Sequence, residues 1–460
     1  MKPGIDFWRG FYNGRLYPLL VAVLILLGHA TGYEVVFGII MLLSVIPACL
    51  ICHDLRFALM PFMCTVFIVS AKTYAPNDTG YAERYLKPAV LIPLAITAVL
   101  VIAALITFTV RNYRTANKPP RGGMLTGLLV FCAALLCNGA FNSDYTVQNL
   151  FFGFVMSVTL VLIYLLFAFF LDIDRTLFEH FMYCVAMAGL LICAELVVAY
   201  FTTVQFVDGE IVKGSVVLGW GVWTTIGGML AFLMPAHFYF AASHKYGWIG
   251  YIFGFFQYFC ILLSQSRGAL LVGTVILGIC LLYLFFKGEN RRLNRWIILG
   301  TAVVGALGVI LMADKLLGLV QNFLQMGFDD NGRFALWKTG VEHFLEYPVF
   351  GSGFYDSYVN EAWEMDVYPY LYHNTAVQLL GSLGVVGTLA YLYHRVLTVR
   401  LVLKKPNIGK TFLGICILGL LLFSLTDVLF FKTYPTIIYS LMLLFMDRSD
   451  SFDETVGISI

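Results

Sequence analysis

Charge is what this 460-residue sequence has least of. Asp, Glu, Lys and Arg make up 12% of it, about half of the roughly 25% usual in soluble domains. With a hydrophobic share of 60% and a mean hydropathy of +0.84, too little polar surface exists to face water. Lipid is therefore the solvent. The formal net charge of +2 gives no reason to invoke nucleic acid. The ten cysteines fall in or beside apolar runs and show no metal-ligand clustering, so they read as small packing residues. No cleavable signal peptide is evident, and the first apolar run reads as a retained helix. No convincing internal repeat is found, which argues against the repeat-built designs of many transporters.

A membrane helix needs about 20 mostly apolar residues. About fourteen such runs are read here. They lie near 16–31, 33–52, 56–71, 86–110, 123–142, 149–171, 178–203, 216–242, 247–264, 267–287, 294–313, 373–399, 409–429 and 432–447. If they alternate, the basic flanks (Lys2 to Arg15, Arg56, Arg111 to Arg121, Arg175, Lys245, Lys287 to Arg295, Arg400 to Lys410) share one side. The positive-inside rule makes that side the cytoplasm, with both termini there. Lys72, Arg84 and Lys87 run against the trend. The fold class expected is an all-α polytopic membrane protein of about 12–14 transmembrane helices. One long extracytoplasmic loop would carry short amphipathic helices. Three regions follow: an N-terminal bundle over 1–255, a core over 256–400 that includes the loop 314–372, and C-terminal helices with a cytoplasmic tail over 401–460.

Long loops are usually functional or disordered, and this one is too aromatic for disorder. It holds nine acids against three bases, Lys315, Arg333 and Lys338. Residues 331–346 read as an amphipathic helix, with Phe334, Trp337, Val341, Phe344 and Leu345 at helical spacing and Tyr347-Pro348 ending it. Gly351-Ser352-Gly353 then reads as a turn. Aromatics mixed with polar groups suit carbohydrate, since ring faces stack on sugar C–H faces; an interfacial aromatic belt would look the same.

Few charges remain to be explained. Arg267 sits where a helix begins, so free N–H groups and the positive dipole end would join it as an anion site. A snorkelling interfacial arginine is the alternative. Arg333 is the loop's only arginine; it can pair with Asp329 or Asp330, or clamp a diphosphate together with Arg267. His373 lies where the loop re-enters the membrane, with Asn374 and Gln378 following, placed as a general base or as a helix cap. Glu195 and Asp427 lie within apolar runs, where ionisable groups are costly. Glu195 can line a polar cleft or hold a bundle partner, and Asp427 can pair with Lys432. His237, His244, His343 and His394 read as ordinary buried or surface histidines. The sequon at Asn77 is a pattern match only.

Taken in order, these motifs resemble those of the O-antigen ligase and O-antigen polymerase superfamily. They are Ser266-Arg267-Gly268-Ala269-Leu270, then Gly332-Arg333-Phe334-Ala335-Leu336-Trp337. Glu346-Tyr347-Pro348-Val349-Phe350-Gly351-Ser352-Gly353 follows, and then His373-Asn374 with Gln378-Leu379-Leu380 and Gly384. The resemblance implies an integral-membrane, inverting glycosyltransferase of the inner or plasma membrane. Its donor would be a glycan on undecaprenyl diphosphate. Its acceptor would be a hydroxyl on a lipid or on another carrier-linked glycan. No metal, cofactor or nucleotide sugar is implied. Arg267 and Arg333 would hold the diphosphate and stabilise its departing charge. His373 would take the acceptor proton or orient that hydroxyl. Trp337, Lys338, Tyr372, Asn374, Gln378 and Glu195 would be substrate contacts around them. A lipid-linked oligosaccharide flippase, or a non-catalytic scaffold of polysaccharide assembly, are the alternatives.

Overall fold

In lipid a backbone must satisfy its own hydrogen bonds, so apolar runs become helices. The computed structural model describes residues 3–64, 87–118, 122–143, 145–288, 290–311, 332–355 and 371–449. Within these, each of the fourteen runs falls on a helix, from Leu16–Thr31 to Thr433–Arg448. The third run is described only through Leu59–Cys64. Among the described residues, seven helices are long and apolar enough to cross a membrane, eight if the pair bent by 62° at the N-terminus counts as one. The chain is an all-α, multi-pass membrane protein. The sequon at Asn77, Lys72, Arg84, the acids Asp329 and Asp330, and the aromatics from Tyr358 to Tyr370 lie outside the described residues.

Two runs end differently from expectation. The run at 216–242 becomes helical only at Trp223. Before it, Val217–Leu218 pairs with Gly221–Val222 in a tight hairpin, after a first hairpin of Phe206–Val207 with Glu210–Ile211. The β-branched valines around Gly219 and Gly221 favour strand and turn over helix there. The run at 409–429 stops at Phe423. There Thr426 Oγ1 donates to the Phe423 carbonyl at 2.9 Å, and Val428 N–H donates to Asp427 Oδ1 at 2.7 Å. Such side-chain bonds compete with the helical ladder. Asp427 therefore sits in a connector, residues 424–432, rather than inside a span.

The Thr375–Leu403 helix is broken at Gly384, whose φ/ψ is 61°/−159°. A break frees backbone groups, and here the loop supplies their partners. Val385 N–H donates to the Pro348 carbonyl (2.9 Å) and Val386 N–H to that of Val349 (3.1 Å). In return Ser352 N–H donates to the Gly381 carbonyl (2.8 Å) and Gly353 N–H to that of Ser382 (3.1 Å). The far edge of the segment is held by Asn149, whose Oδ1 accepts from Phe354 N–H at 2.7 Å. Asn149 Nδ2 donates to the Tyr355 carbonyl at 2.9 Å. The glycine-rich stretch is thus an inserted plug, not a surface turn. Irregular backbone is tolerated at membrane depth when protein buries it this way.

Candidate functional site

Among the helices that start at the loop end of the bundle, four bear on the site. Ser266 caps the Arg267–Phe286 helix, its Oγ accepting from Ala269 N–H at 3.3 Å. Asn374 caps the Thr375–Leu403 helix, its Oδ1 accepting from Ala376 N–H (2.9 Å) and Val377 N–H (3.2 Å). The Arg333–Glu346 helix follows Gly332, which takes a φ of 77°. The Trp223–Leu233 helix follows the second hairpin. Helix N-termini carry partial positive charge and free N–H groups, so their gathering makes an anion-attracting end.

Close packing locks three of these starts together. A Cβ on Gly227 would lie 2.6 Å from the Ala269 Cβ and 2.6 Å from Ser264 Oγ. The Trp223 and Arg267 helices therefore touch within a turn of their ends. A Cβ on Gly268 would lie 2.8 Å from Thr426 Oγ1. Thr375 N–H donates to the Ser424 carbonyl at 2.8 Å, and Asn374 Nδ2 to the Leu425 carbonyl at 3.0 Å. The 424–432 connector is the hub on which the Arg267 turn and the His373 turn both rest.

At that hub His373 Nδ1 lies 3.2 Å from Asp427 Oδ1. The imidazole is 42% exposed, the carboxylate 2%. His373 has a φ of 52°, a left-handed conformation that turns the chain sharply just before the Asn374 cap. Burial pushes the Asp427 carboxyl up, but the Lys432 ammonium, the His373 contact and the Val428 N–H outweigh it. Together they hold it well below the usual carboxylate range. Lys432 Nζ also donates to Thr225 Oγ1, at 2.5 Å, tying the hub to the Trp223 helix.

Arg267 is exposed and Arg333 half-buried. A third cation, Lys213, joins them. Burial lowers the pKa of its ammonium first, and the positive charges of Arg267 and Arg333 lower it further. Its Nζ sits 5.6 Å from the Trp223 ring centroid, a cation–π distance. Lys213 carries no motif that marks it in the sequence, although alternation of the runs puts residues 204–215 at the same end as Arg267. Asp427 was weighed as a partner of Lys432, which its electrostatics support, but its contact with His373 joins residues 54 apart.

The remaining expected contacts separate. Asn374 stands beside His373 at the surface, its side chain engaged as a cap. Tyr372 and Gln378 are buried and brace the turn from behind. Tyr372 N–H donates to Gln378 Oε1 at 2.9 Å, and Gln378 Nε2 to Ser382 Oγ at 2.8 Å. The Tyr372 hydroxyl meets His343 Nδ1 at 2.6 Å, so His343 is a packing partner of the turn. Lys338 is exposed and faces Glu342 at 3.6 Å on its own helix. Trp337 is half-buried, packs edge-on against Phe334, and its Nε1 has no hydrogen-bond partner among the described residues. Glu195 is fully buried in the bundle, where its Oε2 accepts from Trp220 Nε1 at 2.9 Å. It steadies the hairpin that leads into the Trp223 helix.

The loop helix also corrects its own pattern. The apolar positions Phe334 and Leu345 are 56% and 71% exposed, whereas Gly340 and His343 are buried. A Cβ on Gly340 would lie 2.4 Å from Val377 Cγ1. Only glycine permits that approach, so the face that packs is set by size rather than hydrophobicity. The sequence holds one Asp-x-Asp pair, Asp172-Ile173-Asp174. Asp174 there caps its helix, Oδ1 accepting from Leu177 N–H at 2.7 Å.

Residues 249–392 match the family model described as O-Antigen ligase. That match upholds the resemblance to the O-antigen ligase and polymerase superfamily. The match covers less than half of the chain and supports a membrane enzyme of glycan assembly. The matched segment contains Arg267, Arg333 and His373; Lys213 and Asp427 lie outside it. No curated protein matches the chain.

Proposed function

We propose that the chain is an inverting glycosyltransferase that moves a glycan from an undecaprenyl-diphosphate carrier to an acceptor hydroxyl, at the extracytoplasmic end of the bundle. One observation carries this reading. An imidazole held by an ionised carboxylate shares a hub with the helix that begins at Arg267, and Lys213 feels both Arg267 and Arg333. An ionised carboxylate can only accept, so Nδ1 of His373 donates to Asp427, and in the neutral ring the lone pair is then on Nε2. Nε2 takes the acceptor O–H proton as the oxygen attacks the anomeric carbon. The bond from that carbon to the diphosphate breaks on the opposite face. The departing negative charge is met by Arg267, Arg333 and Lys213, whose positions are set before the reaction begins. Trp337 offers part of a ring face to the glycan beside Arg333.

Two variants test separate parts of this scheme in proteoliposomes with a carrier-linked glycan. Lys213→Gln removes one of three cations and leaves the rest. A charge-assisted hydrogen bond is worth about 1.5–3 kcal/mol, so kcat/KM for the donor falls about tenfold to a hundredfold, with affinity for the free carrier diphosphate reduced alongside. Unchanged donor kinetics would remove Lys213 from the clamp. Asp427→Asn keeps the shape but lets the amide donate to Nδ1, which favours the wrong tautomer. Here kcat falls about a hundredfold or more while the donor KM holds. A change confined to KM would argue that Asp427 serves only the fold.

A further inference from the structure

We propose that the groove between the Thr375–Leu403 and Ile408–Phe423 helices holds the isoprenoid chain of the lipid-linked donor, an assignment that rests on the transfer reaction proposed above. The groove has a volume of about 760 Å³. One mouth is formed by Thr375, Ser424 and Leu425, the same residues that bind the His373 turn to its hub. The other reaches Leu403 and Pro406. A helix as long as Thr375–Leu403 rises about 40 Å, so the groove runs much of the way through the hydrocarbon layer. Its wall residues Leu392, Val399 and Leu418 are open to the bilayer side, so the occupant comes from the membrane.

The chemistry of the walls limits what that occupant is. The surface that the lining presents is almost wholly apolar, most of it from leucine, isoleucine and valine. Its one charged side chain, Arg395, is stacked among three rings, with its Cζ 4.4 Å from the Tyr391 centroid, 4.3 Å from Phe430 and 4.9 Å from Tyr439. Its Nη1 donates to the Tyr439 hydroxyl at 2.7 Å. The guanidinium is thereby fixed in the wall by cation–π contact rather than presented to a headgroup. The fitting ligand is one long apolar chain whose polar end emerges at the hub. A carrier diphosphate has that form, with its anion delivered to the gathered cations. Lipid tails are as apolar as leucine, so such a groove gains little from the hydrophobic effect. It acts by aligning the chain and so the diphosphate.

The test uses the full chain in proteoliposomes with a long-chain polyprenyl diphosphate carrying a diazirine near its tail end. Photolabelling is expected on peptides containing Val399, Leu403 or Thr411, toward the far mouth. It should be displaced by unlabelled long-chain polyprenyl diphosphate and not by excess phosphatidylglycerol. Leu418→Trp and Val399→Trp fill the groove from exposed positions and should each cut labelling about tenfold; a geranyl-chain donor should be transferred as well by these variants as by the unaltered protein. Labelling elsewhere, or equal displacement by phosphatidylglycerol, overturns the assignment. Glycan transfer with an unlabelled groove refutes the groove alone. Labelling as expected without any glycan transfer upholds the groove and refutes the proposed reaction.

Discussion

Replacing His373 with Asn lowers glycan transfer by about a hundredfold to ten-thousandfold, the usual worth of a general base. Asn is the informative choice because the position has a φ of 52°, and Asn tolerates left-handed backbone where Ala is strained by about 1–2 kcal/mol. The amide still reaches toward Asp427, so the turn and the Asn374 cap persist. What disappears is the second ring nitrogen that receives the acceptor proton. The loss therefore falls on kcat, with the donor KM nearly unchanged because the three cations stay in place. The measurement is steady-state transfer of a carrier-linked glycan in proteoliposomes, with donor concentration varied. Retention of more than half the wild-type kcat would remove His373 from the chemistry.

The second large effect is on the fold. Gly384→Ala destabilises the protein by about 3 kcal/mol or more, from two sources that add. A φ/ψ of 61°/−159° is open essentially to glycine alone. The new methyl would also lie 2.5 Å from the Val349 carbonyl oxygen and 2.7 Å from Gly351 N, which forces the plug out of the helix break. Once the plug leaves, Val385 and Val386 lose the acceptors of their N–H groups, a costly outcome away from water. The Arg333 helix loses one of its ties to the bundle at the same time, keeping the contacts of Gly340 with Val377 and of His343 with Tyr372. Thermal unfolding in detergent should drop by several degrees, and protease should cut near residue 350 in the folded membrane fraction. Wild-type thermal stability combined with wild-type protease resistance would show that the break does not depend on the inserted loop. Loss of transfer is expected here too, but the protease readout distinguishes it from the His373 effect.

These two variants mark how the family-like motifs divide. Arg267, Arg333 and His373 bear the proposed chemistry. The Pro348 to Gly353 stretch and Gly384 are a joint that fastens the loop to the bundle. As strings of residues the two sets look alike. Glycines within a motif were read as a turn because turns are the commonest use of glycine in sequence. The other use, close approach of two backbones, has no local signature, since its partner lies about 30 residues further along the chain.

The sequence by itself determined the solvent and the class of fold. Scarce charge and apolar runs of bilayer length leave helices as the open solution, and the fourteen runs fell on helices because lipid enforces that locally. It also determined that a helix starts at Arg267 and another just after His373, since caps are written in neighbouring residues. Tertiary structure alone decided what meets at those starts. Asp427 reaches His373, and Lys213 comes within the electrostatic influence of the two arginines, across intervals of tens of residues. The side of the loop helix that packs was settled by the fit of Gly340 against Val377. Charge pairing and close packing depend on distance in space, and periodicity along a chain carries no record of it.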